Sequence, residues 1–145
     1  MRKLLYIFIL SSLLLSCRNS CEVDTNFENT FKLCISKVNE RDLYVGLITD
    51  SLRHNFHFSI KYLEELTSIN ANFQWNDILP YYESRSQCKK DIRDWEKWYN
   101  DNKCQITKFY SDSIKLSVLR GFYGGVSDEE LKLWLNSLFY KDILP

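Results

Sequence analysis

Glycine and histidine are scarce in this chain of 145 residues, which contains four glycines and two histidines. The glycines do not form a glycine-rich loop of the kind that binds phosphate. The two histidines, His54 and His57, leave few arrangements for histidine-based catalysis or metal binding. Proline is also rare, with two residues, whereas aromatic residues make up 15% of the chain. This composition is typical of a folded domain and argues against disorder.

An excess of positive charge is missing as well, since 19 Lys and Arg balance 19 Asp and Glu. We therefore expect no nucleic-acid partner. The one long apolar run covers residues 4–15 and follows Arg2 and Lys3. As a helix it would span about 18 Å, which is short of the roughly 30 Å hydrocarbon core of a membrane. A basic start followed by a short apolar run is typical of an export signal.

The ordinary signal peptidase requires small residues at the third and first positions before the cleavage site. No triplet between Ser16 and Asn26 offers a good pair of small residues at these two positions. The segment Leu14-Leu15-Ser16-Cys17 instead resembles the lipobox of bacterial lipoproteins. The resemblance implies that a diacylglyceryl group is transferred to the sulfur of Cys17 and that cleavage occurs before this residue. A plain secretory signal is the alternative. Arg18 stands where an Asp would retain such proteins in the inner membrane, so the outer membrane of the cell envelope is favoured.

The lipobox divides the chain into a signal peptide over residues 1–16, a polar tether over residues 17–25 and a single domain over residues 26–145. Cleavage would leave 17 Lys and Arg against 19 Asp and Glu, because Arg2 and Lys3 are lost from the 19 basic residues. The acyl chains on Cys17 would hold the domain on a membrane, since each buried methylene contributes about 0.8 kcal/mol.

Four cysteines remain after Cys17, namely Cys21, Cys34, Cys88 and Cys104. An even number of cysteines in an exported domain usually forms disulfides, and the sequence alone leaves the pairing open. Cys34 and Cys88 each fall on the apolar side of a predicted helix, which favours their pairing and leaves Cys21 near Cys104. Zinc is the rival use. No C-x-x-C is present, however, and the spacings match no common zinc finger, so we expect neither a metal nor another cofactor.

Apolar residues recur at helical spacing along most of the domain. The pattern predicts a helix from Thr25 to residue 38, one over residues 42–52, one over residues 50–67 and one from Ser86 to residue 102, with residues 68–85 as the longest loop. The core-facing residues are Phe27, Phe31, Cys34 and Val38 in the first of these, Phe56, Ile60, Leu63 and Thr67 in the third, and Cys88, Ile92, Trp95 and Tyr99 in the fourth.

Two more helices are predicted towards the end of the chain. Residues 112–122 form the first, which stops at Gly124-Gly125. Ser127 and Glu130 form a capping box that begins the second, in which Trp134 faces the core. No strand signal is strong, so we predict an all-α fold.

The segments "YLEELTSINANF" and "DIRDWEKWYNDNK" resemble helix pairs in small exported bacterial proteins with HEAT-like repeats. The second helix of such pairs often carries a W-x-x-W-Y-x-x-N motif, matched here by Trp95, Trp98, Tyr99 and Asn102. The resemblance implies HEAT-like helix hairpins whose exposed surfaces bind partners. A compact irregular helical bundle is the alternative. Burial is the expected role of the motif's aromatic residues.

Asp50, His54 and His57 would line up on one helix and are the best candidates for metal ligands. Lys61 lies in the same row, which faces away from the apolar stripe, so a solvated helix surface is the preferred interpretation. Acidic pairs such as Asp91 with Asp94 more often stabilise helix starts than catalyse hydrolysis. We therefore expect no enzyme activity.

These observations predict a membrane-anchored interaction module of the bacterial cell envelope, with a protein partner that the sequence does not identify. The alternative is a small-ligand or sugar-binding protein or a weak hydrolase. Trp75, Trp98 and Tyr82 would have to be exposed to stack on a sugar.

Overall fold

A computed structural model describes residues 21–40, 50–75 and 80–122, together with residues 124, 125, 127, 129, 130 and 133. This part of the chain contains helices α1 (Thr25–Glu40), α2 (Asp50–Thr67), α3 (Arg85–Asn102) and α4 (Lys108–Phe122). A two-residue antiparallel pair, β1 (Gln74–Trp75) and β2 (Pro80–Tyr81), lies between α2 and α3. The predicted all-α class is confirmed, and the helices form a compact bundle in which α1 and α2 each pack against both α3 and α4.

The core is built from the apolar stripes that helical spacing predicts. Every predicted core-facing residue of α1, α2 and α3 is buried, and Trp95 is completely inaccessible to solvent at 0% exposure. In α4 the buried side is formed by Ser111, Lys115, Val118 and Leu119. Burial of these side chains stabilises the bundle by about 25 cal/mol for each Å² of apolar surface removed from water.

In two helices, the residue that caps the first turn differs from the residue at which the sequence predicts the helix to begin. The Asp24 carboxylate, rather than Thr25, accepts hydrogen bonds from the backbone N–H groups of Asn26 and Phe27, each at 3.0 Å. In α3, the Ser84 hydroxyl accepts from the N–H of Gln87 at 3.1 Å, so the predicted start at Ser86 is wrong. Several side chains can cap at these sites, and helical spacing alone does not choose among neighbouring polar residues.

The predicted bounds of α1 and α4 are too short, because α1 ends at Glu40 and not at residue 38, and α4 begins at Lys108 and not at residue 112. Helical spacing of apolar residues does not mark the terminal residue of a helix.

The predicted capping box and the predicted end of α4 agree with the structure. Ser127 and Glu130 form the predicted capping box, in which the Glu130 carboxylate accepts from the Ser127 N–H at 3.0 Å. In return, the Glu130 N–H donates to the Ser127 hydroxyl at 3.3 Å. The last helix before this box ends at Phe122, and Gly125 follows with a φ of 95°, a left-handed conformation that glycine adopts without strain.

The connection from α2 to α3 is held by side chains on both helices. Glu64 accepts from the Ala71 N–H at 2.8 Å, and Asp91 accepts from the Asn72 N–H at 2.7 Å. The indole N–H of Trp95 donates to the Ile69 carbonyl at 3.1 Å. Three backbone groups of residues 69–72 are therefore satisfied by buried or half-buried side chains, which fixes the path of a segment that has little regular structure.

Some predictions lie outside the described residues. They are the lipobox with Cys17, the first part of the predicted helix over residues 42–52, and Trp134 with most of the last predicted helix. Within the described residues, Cys21, Val23 and Asp24 of the predicted tether are attached to the domain, through a disulfide, packing against the core and a helix cap respectively.

Candidate functional site

One end of the bundle brings together the start of α1, the end of α3 and the start of α4. We call this region the disulfide end and define it as residues 21–25 and 102–110. Cys21 and Cys104 form a disulfide there, with their Cα atoms 5.5 Å apart and 83 positions between them in sequence. The bond ties the first described residue to the turn between α3 and α4. Beside it lies a cleft of about 420 Å³ that is lined by Glu22, Val23, Asp24, Thr25, Cys104, Ile106 and Thr107.

The cysteine prediction is therefore confirmed for Cys21 with Cys104 and wrong for Cys34 with Cys88, which are both buried and belong to no disulfide. The reason lies in how the helices pack. Cys34 lies beside Ser59 on α2, whereas the Cys88 sulfur lies 3.9 Å from the Val38 carbonyl, one helical turn further along α1. Burial raises the pKa of Cys34 to about 12, so this thiol stays protonated.

A second concave surface, the α1–α3 groove, has a volume of about 400 Å³. It is lined by Phe31, Lys32, Ile35, Glu96, Tyr99 and Asn100. Phe31, Ile35 and Tyr99 provide its apolar floor and are buried or half-buried, whereas Lys32, Glu96 and Asn100 are exposed at the rim. An apolar floor with a rim of both charge signs is suited to a side chain of a partner protein.

The motif aromatics of α3 have structural positions. Tyr99 stacks on Phe31 with ring centroids 4.5 Å apart, and the Lys103 ammonium lies 5.3 Å from the Tyr99 centroid. Tyr99 is buried and Trp95 is fully buried, so the expectation of core packing is confirmed for these two residues. Trp98 is half-buried and packs against the same core, and the Asn102 amide donates to the Trp98 carbonyl at 2.8 Å.

The histidines of α2 differ in their surroundings. His54 is exposed, whereas His57 is half-buried with its ring 4.4 Å from that of Phe122 on α4, so the expectation of a fully solvated row is wrong for His57. The pKa of His57 is lowered to about 4, mainly by burial and also by the positive charges of Lys61 and His54. The Asp50 side chain is outside the description. No cluster of three His, Cys, Asp or Glu residues suited to a metal is found within the described residues.

The acidic pair of α3 serves the fold. Asp91 is 4% exposed and accepts hydrogen bonds from the Asn72 backbone and from the Gln87 side chain, the latter at 3.1 Å. Asp94 lies 3.2 Å from the Lys90 ammonium on the helix surface. The two carboxylates have different partners and do not face a common space.

Two exposed aromatic residues at the disulfide end were missed by sequence reasoning. Phe109 is 83% exposed and Tyr110 is 43% exposed, although both lie in the first turn of α4. The periodicity of α4 contains the signal, since its buried residues Ser111, Lys115 and Val118 lie on the side opposite to Phe109.

Comparison with known proteins gave no family match, no similar curated protein and no similar solved structure. Over the described residues, no helix has the length and apolar character needed to cross a membrane. The structure thus defines the class as a disulfide-bonded all-α bundle.

Proposed function

We propose that this protein is a lipid-anchored interaction module of the bacterial cell envelope. Two sequence features support an envelope location: the export signal over residues 1–16 and the likeness of Leu14-Leu15-Ser16-Cys17 to a lipobox. The observation that carries the proposal is the disulfide between Cys21 and Cys104, because disulfides form and persist in the oxidising compartments that export reaches. Cys21 also lies only four positions after Cys17, the proposed site of the anchor.

The proposed anchor and the disulfide have distinct roles. Acyl chains on Cys17 attach the chain to a membrane, whereas the disulfide attaches the beginning of the chain to the folded domain. A mechanical force on the lipid anchor is then borne by the covalent bond between Cys21 and Cys104 in addition to the packing of α1. Arg18 in place of Asp favours the outer membrane.

The α1–α3 groove is the proposed partner-binding surface. Within its apolar floor Ile35 is half-buried and can lose further solvent contact on binding, whereas Phe31 and Tyr99 are already buried. Glu96 is exposed at the rim and can pair with a basic residue of the partner. Interfaces of this type combine a small apolar centre with a polar rim.

The anchor is tested by intact-mass analysis of the protein isolated from bacterial membranes. We expect a mass that corresponds to cleavage before Cys17 plus a diacylglyceryl group, with or without a third acyl chain. Cys17→Ser should abolish acylation, whereas Cys21→Ser should leave it intact. A mature protein that begins elsewhere and carries no lipid would contradict the proposal.

The partner is tested by chemical cross-linking in intact cells followed by purification of the protein from detergent-solubilised envelope. Glu96→Lys changes the groove rim, and Glu65→Lys makes the same charge change at an exposed position of α2 that does not line the groove. We expect one cross-linked protein to be captured by the wild type and by Glu65→Lys and to be lost with Glu96→Lys. Equal capture by all three proteins would exclude the groove as its binding surface.

A further inference from the structure

Phe109 and Tyr110 are neighbouring aromatic residues at the disulfide end and are both exposed. In the described part of the chain, Phe109 points away from the buried side of α4 and retains 83% of its possible exposure. Tyr110 retains 43% and is therefore partly packed, with its ring at the edge of the domain. Neither side chain is needed for the core, since the buried residues of α4 begin at Ser111.

The covalent structure limits how far this pair can lie from a lipid on Cys17. Four positions separate Cys17 from Cys21, so their Cα atoms are at most about 14 Å apart at roughly 3.5 Å per residue. The disulfide then brings the Cα of Cys104 to within 5.5 Å of that of Cys21. Phe109 follows five positions later, at the start of α4. The short connection therefore keeps this end of the bundle nearest to the anchor.

We propose that the disulfide end rests on the bilayer to which Cys17 is anchored, with Phe109 and Tyr110 inserted among the lipid headgroups. This inference rests on the proposed lipid anchor and adds an orientation to it. Aromatic side chains are enriched at membrane–water interfaces, where an apolar ring leaves water and a phenol hydroxyl keeps polar contacts. Phe109 supplies the apolar ring and Tyr110 the amphipathic one.

Apolar contact, and not charge, drives this placement. The charged residues of the disulfide end are Glu22, Asp24, Lys103 and Lys108, which are two of each sign. The Lys103 ammonium lies over the Tyr99 ring, and Asp24 caps α1. The surface carries no net formal charge, so its contact with lipid should persist at high salt, where charge-driven binding is screened.

The orientation also leaves the α1–α3 groove accessible. Its residues Lys32 and Ile35 lie seven and ten positions after the start of α1 at Thr25, which corresponds to about 10 and 15 Å along a helix. On α3, Glu96 lies six positions, or about 9 Å, before the end of the helix at Asn102. This part of the groove would stand above the headgroups, whereas the lower edge of the groove borders the disulfide end. The bilayer and a partner protein then contact different parts of the domain.

The test is photo-cross-linking of the mature lipoprotein in vesicles of phosphatidylethanolamine and phosphatidylglycerol. The photoreactive amino acid p-benzoylphenylalanine replaces Phe109 in one sample and Lys89 in a control. Lys89 is also exposed and lies about 20 Å from Asn102 along α3. We expect a lipid adduct from position 109, unchanged at high salt, and none from position 89.

Equal lipid labelling at the two positions, no lipid adduct at position 109, or loss of that adduct at high salt would overturn the inference. A protein adduct in place of lipid, from cells carrying the position 109 probe, would assign this surface to a partner instead. Intact-mass analysis of the same sample separates the two proposals. A chain without acyl groups contradicts the anchor itself, whereas an acylated chain without a lipid adduct contradicts only the orientation.

Discussion

The hydroxyl groups of Tyr62 on α2 and Ser111 on α4 lie 2.8 Å apart and form a buried hydrogen bond. Tyr62 is 0% exposed and Ser111 is 1% exposed, so neither hydroxyl has water as an alternative partner. Burial raises the pKa of Tyr62, and the phenol is therefore neutral at any pH at which the domain is folded. This contact fixes the register of α4 against α2 across 49 positions of sequence.

Removing the Tyr62 hydroxyl should destabilise the domain. Tyr62→Phe leaves the buried Ser111 hydroxyl without its partner, and a group in that condition costs about 1 to 3 kcal/mol. Equilibrium denaturation should show this loss. The double variant Tyr62→Phe/Ser111→Ala should lose less than the sum of the two single variants, because both partners are removed together. Additive losses would show that the two hydroxyls do not interact.

How far the sequence predicted this fold is visible in α1 and α3. The stripes of both helices were predicted residue by residue, because burial of an apolar face depends on spacing that the sequence carries directly. Helix α4 was harder, since its buried face includes Ser111 and Lys115, which are polar and gain burial only from contacts with other elements. The caps Asp24 and Ser84 were missed for a different reason, namely that helical spacing does not distinguish among neighbouring polar residues.

The candidate site was less predictable than the fold. The pairing of Cys21 with Cys104 belongs to the arrangement that the sequence favours, whereas the separation of Cys34 from Cys88, whose sulfur lies at the Val38 carbonyl, depends on distances between helices that no local pattern encodes. The α1–α3 groove and the exposure of Phe109 are also products of helix packing. Periodicity indicates which side of a helix is buried and does not indicate which helix will cover it.

The cap of α3 provides a direct comparison between the sequence prediction and the structure. Ser84→Ala removes the acceptor of the Gln87 N–H and should cost about 1 kcal/mol. Ser86→Ala, the matched control, changes an exposed residue inside the first turn and should leave the stability within about 0.5 kcal/mol of the wild type. Urea denaturation of both variants checks this. A larger loss from Ser86→Ala would place the cap where the sequence pattern suggested.

The disulfide should be the main covalent restraint on the described domain. Cys21→Ser/Cys104→Ser releases a loop of 83 positions, and the chain-entropy relation gives a loss of about 4.5 kcal/mol. The measurement is denaturation of the wild type and of the double variant under non-reducing conditions. Unchanged stability would show that the bond constrains nothing in the unfolded chain.

The two thiols outside the disulfide should react with an alkylating reagent only when the domain unfolds. Cys34 and Cys88 are both buried, and the pKa of Cys34 is raised to about 12, so little thiolate exists at neutral pH. Alkylation of the native protein followed by peptide mapping should give a Cys21–Cys104 peptide and unmodified Cys34 and Cys88. Alkylation in denaturant should modify both thiols. A Cys34–Cys88 peptide in the native sample would contradict the structure.

Trp95 should be the most costly single side chain to truncate. Trp95→Ala opens a cavity at a position with 0% exposure and leaves the Ile69 carbonyl without the indole N–H, so we expect a loss of about 3 to 5 kcal/mol. Lys97→Ala, on the exposed side of the same helix, should change the stability by less than about 0.5 kcal/mol. Thermal and chemical denaturation compare the two variants, and equal effects would remove Trp95 from the core.

His57 should make the stability of the domain depend on pH below neutrality. Its pKa is lowered from the ordinary value of 6.5 to about 4, first by burial and then by Lys61 and His54, and α4 covers it with the Phe122 ring. Above pH 6.5 the imidazole is neutral in the folded and the unfolded chain and contributes nothing. Between pH 6.5 and about 4 the unfolded chain takes up a proton that the folded chain does not, so the free energy of unfolding should fall as the pH falls.

His57→Gln should flatten this slope between pH 6.5 and 4.5. The carboxyl of Glu40, whose pKa is lowered from 4.5, loses its charge only below this range. An unchanged slope in His57→Gln would assign the pH dependence to another group.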